Sequence, residues 1–251
     1  MAAVVTDNSG VTRGLCLSLL AVAFVAALPC SAAPAQEAAD PFALTEARAH
    51  VAEVIRPTSV RSEPGGGAFV GQQDTVATWG RGPVRLLVLQ SALAPDGSRW
   101  LQVRLGKRPN DASGWIDRES ARMSSTAWRL VLTLRTRRLE VLRAGKRKWQ
   151  TRVVIGAPET PTPTGLFAIL EEIRQPKGEN IGPWALHLTA HSDVLESFGG
   201  GPGRVAIHGR SGSLLRDPLG SARSHGCIRM SNAAVNRLAQ KLQAGTPVEI
   251  R

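Results

Sequence analysis

The chain has 251 residues, 43% of them hydrophobic, which is enough to bury a core in one large domain or two small ones. That share excludes a disordered chain, and 25 glycines with 16 prolines spread along the sequence favour short strands and turns over long helices. The formal charge of +11 suits an anionic partner, yet no block of five or six lysines or arginines marks a nucleic-acid-binding tail.

At the N-terminus Arg13 precedes an apolar run from Leu15 to Leu28, and Ala33-Pro34-Ala35 follows. A charged start, an apolar middle and a small-residue cleavage site predict a signal peptide over residues 1–35. The run is shorter than the ~20 residues of a bilayer span, and an uncleaved anchor is the other reading. Export puts the protein in the periplasm or cell wall. Cys16 and Cys30 precede the proposed cut, which leaves Cys227 alone in an oxidising compartment. A lone cysteine there makes no internal disulfide, so it is either reactive or buried and inert. Asp7 and Arg13 cancel, so the mature chain keeps the whole charge, and an anionic cell wall surface is a more fitting partner than nucleic acid.

Residues 36–50 read as a flexible stem. Residues 51–120 alternate short apolar runs with turn clusters: Val51 to Ile55, Pro64 to Gly67, Thr75 to Trp79, Val84 to Gln90, Trp100 to Leu105 and Gly114 to Ile116. That spacing predicts a small all-β barrel. Val60-Arg61-Ser62-Glu63-Pro64-Gly65, the later Trp100-Leu101-Gln102-Val103, and Gly114-Trp115-Ile116 resemble bacterial Src-homology-3-like wall modules. Residues 121–126 read as a linker. A second unit, 127–251, opens with strand candidates at Arg129–Leu134, Arg138–Arg143 and Gln150–Gly156. More follow at Leu166–Glu171, Trp184–Leu188 and Arg204–His208, and Pro247–Arg251 closes as a strand. One helix is predicted near the end, where Ser231 is a suitable N-cap and Ala234, Val235, Leu238 and Leu242 share a face. The fold class is mainly β.

Two segments carry chemistry. One is Ile207-His208-Gly209. The other, fifteen residues on, is Ser224-His225-Gly226-Cys227-Ile228-Arg229-Met230. A free thiol with a pKa near ~8.5 is mostly protonated at neutral pH, so a cysteine nucleophile needs a base, and a histidine can take its proton. The base needs a third group on its other ring nitrogen. A glycine before the nucleophile lets backbone amides approach a developing oxyanion.

This pattern resembles the signature of the L,D-transpeptidase (YkuD-like) catalytic domain. Ile155-Gly156 followed by Thr160-Pro161-Thr162-Pro163-Thr164-Gly165-Leu166-Phe167 supports it, as do Ala190-His191-Ser192 and the run Glu196 to Gly203. The resemblance covers residues 128–251. It implies that Cys227 is the nucleophile, His208 the general base, and the Gly209 carbonyl its orienter. It places His225 beside the nucleophile and gives the oxyanion to amides at Gly226 and Cys227. Ser224 and Arg229 would shape the loop, with Arg229 also meeting a substrate carboxylate. The implied reaction cross-links peptidoglycan stem peptides, diaminopimelate to diaminopimelate, through a Cys227 thioester with release of D-alanine. Carbapenems would acylate the same thiol. The resemblance calls for no cofactor and no metal. The chain has no tyrosine, so any family role for a tyrosine hydroxyl is filled otherwise.

Other readings stand beside this one. His187 and His191 are four apart, a metal-ligand spacing on a helix, but the segment reads as strand. A zinc site of His208, His225 and Cys227 is chemically allowed. Gly199 to Gly203 lacks the Gly-Lys-Ser/Thr of a phosphate loop. Trp79, Trp100 and Trp115 are either barrel core or a ligand platform. Residues 171–203 are expected to form a mobile lid. Functional rivals are an L,D-carboxypeptidase or protein-to-peptidoglycan attachment on the same thiol, and a non-catalytic wall-binding protein.

Overall fold

The computed structural model describes residues 40–251, so the predicted signal peptide and the first part of the stem lie outside the described residues. The described residues fall within one compact unit built on two large sheets. Seven strands form the first: β1 (Ala49–Val54), β2 (Thr58–Glu63), β3 (Gly66–Gln73), β4 (Arg85–Leu93), β5 (Arg99–Arg104), β6 (Ser113–Asp117) and β7 (Ala121–Thr126). Their spatial order is β3-β2-β6-β5-β4-β1-β7, with every pairing antiparallel. Val60, Leu86, Val88, Leu101, Val103 and Ile116 alternate inward to make its core.

Three segments differ from their sequence reading. Residues 121–126 are no linker: β7 pairs with β1 over all six residues, from Ala49↔Thr126 to Val54↔Ala121. Its polar sequence fits a sheet edge, where one side of the backbone faces solvent. Part of the stem is also docked, since Asp40 accepts hydrogen bonds from the Ser91 amide (2.6 Å) and hydroxyl (2.6 Å), and Phe42 packs on the first core. Thr75 to Trp79 forms no strand. It is a loop closed by the bridge between Val76 and Pro83. The three tryptophans form no common platform, because Trp115 is buried while Trp79 is exposed.

The second sheet continues the chain with β8 (Trp128–Thr133), β9 (Arg138–Arg143), β10 (Lys146–Arg152), β11 (Ile155–Gly156), β12 (Gly165–Arg174) and β13 (Trp184–His191). It is completed by β14 (Arg204–His208), β15 (Ala222–Ser224), β16 (Ile228–Arg229), the helix α1 (Asn232–Ala239) and β17 (Pro247–Ile250). Eight strands run in the order β10-β9-β8-β17-β12-β13-β14-β16, and β11 pairs separately with β15. The expected helix is present: the Ser231 hydroxyl accepts from the Ala234 amide at 3.2 Å, satisfying one of the first-turn donors. Its Val235 and Leu238 pack into a core with Phe167, Leu186, Ile207 and Ile228.

The two sheets meet through Ala49, Leu87 and Ala168. A polar contact joins them as well. Glu171 of β12 is 4% exposed, and its carboxylate accepts from the Gly80 amide (2.5 Å) and the Trp79 amide (3.3 Å). A carboxylate so buried is tolerable because backbone donors meet it.

Candidate active site

Three local features bring the signature residues together. β14 and β16 lie side by side and parallel, in the register Ile207↔Ile228 and His208↔Arg229. Cys227 immediately precedes β16 and touches the backbone of Ala206. Alternate residues of a strand share a face, so Ala206, His208, Cys227 and Arg229 line one face of the sheet edge. The row continues inward, because Ala206 pairs with His187 and His187 with Glu171.

His208 is 4% exposed, and its Nδ1 lies 2.7 Å from the Gly209 carbonyl oxygen. A carbonyl only accepts, so Nδ1 carries the proton and Nε2 keeps a free lone pair. Burial pushes the His208 pKa down to about 4; the Gly209 carbonyl pulls it back, and the charge of Arg229 depresses it again. A Cβ at Gly209 would fall 2.3 Å from the Asn232 side-chain oxygen, so a side chain there would displace Asn232, which accepts from the Arg210 amide at 2.8 Å. Asn232 opens α1, so the helix start fixes the turn that orients the imidazole.

Burial pushes the Cys227 thiol pKa up, against the opposing pull of the Ala206 backbone and the Arg229 charge. Burial thus favours the neutral form of both the thiol and the imidazole.

The loop that carries Cys227 is cinched by side chains. Ser224 is buried; its hydroxyl donates to the Cys227 carbonyl (2.6 Å) and accepts from the Gly226 amide (3.2 Å). Gly226 sits at φ +109°, a conformation that favours glycine. Because its amide already meets Ser224, Gly226 can serve an oxyanion only by giving up that long bond. Two residues that sequence reading left without a role support the loop from outside. Thr162 donates to the Gly226 carbonyl (2.8 Å) and accepts from the Gly156 amide (2.9 Å), and Thr160 donates to the Ser224 carbonyl (3.2 Å). The threonine-proline run around them was visible in the sequence, but not what it holds.

Arg229 is 7% exposed, and its guanidinium meets Asp217 at 2.7 Å. The carboxylate it meets here is the protein's own, and the pair ties the Cys227 strand to the loop that carries Asp217. His225 is exposed and stacks on Phe198, ring centres 5.2 Å apart at 28°. His187 and His191 both lie on β13, where four residues span about 13 Å, too far to share one ion. Among the described residues, no three His, Cys, Asp or Glu side chains gather as metal ligands.

Residues 127–250 match the model of the YkuD family, the L,D-transpeptidase catalytic domain. The matched domain holds every signature residue above. Solved structures to which the chain shows similarity include L,D-transpeptidase 3 from Mycobacterium tuberculosis with a faropenem-derived adduct. It shares 15% identity over 67% of this chain and 91% of that one, at a TM-score of 0.44. An L,D-transpeptidase from Mycobacterium smegmatis shares 17% identity over 80% of this chain and 93% of that one, TM-score 0.42. A cysteine-to-serine mutant of the Enterococcus faecium L,D-transpeptidase shares 23% identity over 50% of each chain, TM-score 0.38. This chain therefore spans half the length of that last protein. No curated protein matches the chain.

Proposed function

We propose that the protein is a peptidoglycan L,D-transpeptidase that works through a thioester on Cys227. One observation carries the reading: an imidazole whose Nδ1 is tied to a backbone carbonyl at 2.7 Å shares a sheet face with a lone thiol, inside a domain that matches the transpeptidase family. The Cys227 sulfur attacks the carbonyl carbon of the L,D bond before the terminal D-alanine of a donor stem, and its proton passes to His208 Nε2. The Cys227 amide, joined by Gly226 if its bond to Ser224 opens, donates to the oxyanion. Collapse breaks the C–N bond, and His208 returns the proton to the departing D-alanine amine. The side-chain amine of a second diaminopimelate then attacks the thioester, gives its proton to His208, and releases the thiol.

Several finer assignments belong to the same proposal. The chain is exported, residues 51–120 act as a Src-homology-3-like wall module, and carbapenems acylate Cys227. The anionic wall surface is met by the β9–β10 hairpin, where residues 135–152 hold eight lysines and arginines and one glutamate.

The test is mass spectrometry of the protein with a disaccharide-tetrapeptide, alongside Cys227→Ala. A dimer lacking one D-alanine, formed only by the unaltered protein, is the expected outcome. A tripeptide without dimer would make the enzyme a carboxypeptidase, and identical products from both proteins would sink the thioester.

A further inference from the structure

A hairpin from Ser192 to Gly203 reaches the Cys227 loop at its tip, where Phe198 stacks on His225. It is closed at its base by the Ser192 amide on the Gly203 carbonyl (2.8 Å) and at its tip by two 3.0 Å bonds between Phe198 and Gly201. Of the segment expected as a lid, residues 171–203, much is strand instead: β12 runs to Arg174 and β13 covers Trp184–His191. The hairpin is what remains beside the nucleophile. Its Phe198 stacks on His225, two residues before Cys227, and is 52% exposed on its outer side.

The hairpin is held from the first sheet. Arg108 lies on the loop between β5 and β6, and its guanidinium donates to three hairpin carbonyls: Ser192 (2.9 Å), Leu195 (2.8 Å) and Pro202 (2.8 Å). Asn110 grips the base, donating to the His191 carbonyl (2.8 Å) and accepting from the His191 amide (2.9 Å). Gly203 has no room for a side chain, because a Cβ would fall 2.0 Å from the Leu195 carbonyl oxygen and 3.1 Å from Arg108. A planar fork with fixed donors suits three carbonyls converging on one point, and a lysine's single ammonium cannot replace it. The side-chain hydrogen bonds that reach the hairpin from outside it come from Arg108 and, through Asp193, from Asn110.

We propose that Arg108 is a positioning residue for a substrate flap: it holds Phe198 against His225, and Phe198 in turn walls the approach of a stem peptide to Cys227. The inference rests on the proposed acyl transfer for its substrate. The first sheet thereby becomes part of the enzyme's substrate-binding apparatus as well as a wall module.

The test compares the full chain with Arg108→Ala, Arg108→Lys and Phe198→Ala. In Arg108→Ala, amide exchange over residues 193–202 should speed up by about tenfold while residues 224–229 keep their protection. KM for the tetrapeptide donor should rise by roughly fivefold, the loss of about 1 kcal/mol of binding, with kcat within about twofold. Arg108→Lys should fall between, and Phe198→Ala should raise KM to a similar degree. Combining Arg108→Ala with Phe198→Ala should add little further. Unchanged exchange over 193–202, or a fall in kcat with KM constant, would overturn the proposal. If the unaltered chain turns over no tetrapeptide, the acyl-transfer reading fails. The flap is then judged by exchange and by alkylation of Cys227 with iodoacetamide, which should quicken severalfold in Arg108→Ala; equal rates reject it. Should Arg108→Ala fail to fold, Phe198→Ala, at an exposed tip, decides by the same alkylation rate.

Discussion

The loop that carries Cys227 and the hairpin that carries Phe198 flank the same thiol, yet they are held in opposite ways. The first is buried and fastened by hydroxyls of its own domain: Ser224 from within, Thr160 and Thr162 from beneath. The second is exposed, tipped with glycines, and held by a guanidinium and an amide from the other sheet. In the proposed reaction, chemistry that needs sub-ångström placement would sit on the rigid part, and access on a part whose loosening leaves the reacting groups in place.

Acid should strain both at once, because each region has a buried histidine. His208 ends β14 and His191 lies at the base of the hairpin, and burial lowers each to about 4. The unfolded chain protonates near 6.5 and the folded one resists until about 4, so the unfolded state binds more protons in between. Stability is therefore complete above pH 6.5 and is lost as pH falls toward 4, by roughly 3 kcal/mol for His208 alone. Denaturant titrations at pH 7.5 and 4.5 check this, and equal midpoints would refute it. Activity should outlast an ordinary histidine in acid, since neutral His208 persists well below pH 6; a kcat/KM that already halves at pH 6.5 would contradict the assignment.

Thr162→Val should separate the two regions. The swap keeps the shape but leaves the Gly226 carbonyl and the Gly156 amide without their buried partner. The expected cost is about 2–3 kcal/mol with kcat down by about tenfold, read by urea melts and turnover. Exchange over 193–202 should not change; a hairpin that loosens together with the Cys227 loop would merge the two into one unit.

The sequence was readable where a local rule decides. Ser231 marks the helix start, and His208 with the run Ser224 to Met230 carries the family resemblance through which the site was read. It was unreadable where the partner is remote. Glu171 takes the Gly80 and Trp79 amides from ninety-odd residues away, which turns an apparent strand at 75–79 into a docked loop. Thr162 reaches Gly226 across 64 positions. Ala121 to Thr126 has too few apolar residues to announce a strand, and its place at the sheet edge is set by backbone pairing with β1. None of these partners leaves a periodic trace in the chain.

The smallest expected effect is the most diagnostic for the Cys227 thiol. Arg229 is buried, and the carboxylate at 2.7 Å that balances it belongs to Asp217, on a loop that is only partly covered. Asp217→Asn keeps a hydrogen-bond acceptor and removes the counter-charge. Because water reaches Asp217, the stability cost should be about 1–2 kcal/mol, below that of breaking a fully buried pair. The unbalanced guanidinium then acts on the thiol, whose pKa the Arg229 charge already pulls down against burial. Alkylation of Cys227 by iodoacetamide should accordingly reach half its maximal rate at a lower pH in Asp217→Asn than in the unaltered chain. A shift to higher pH would mean that Asp217 serves the catalytic loop by shape alone, and that the charge of Arg229 does not reach the sulfur.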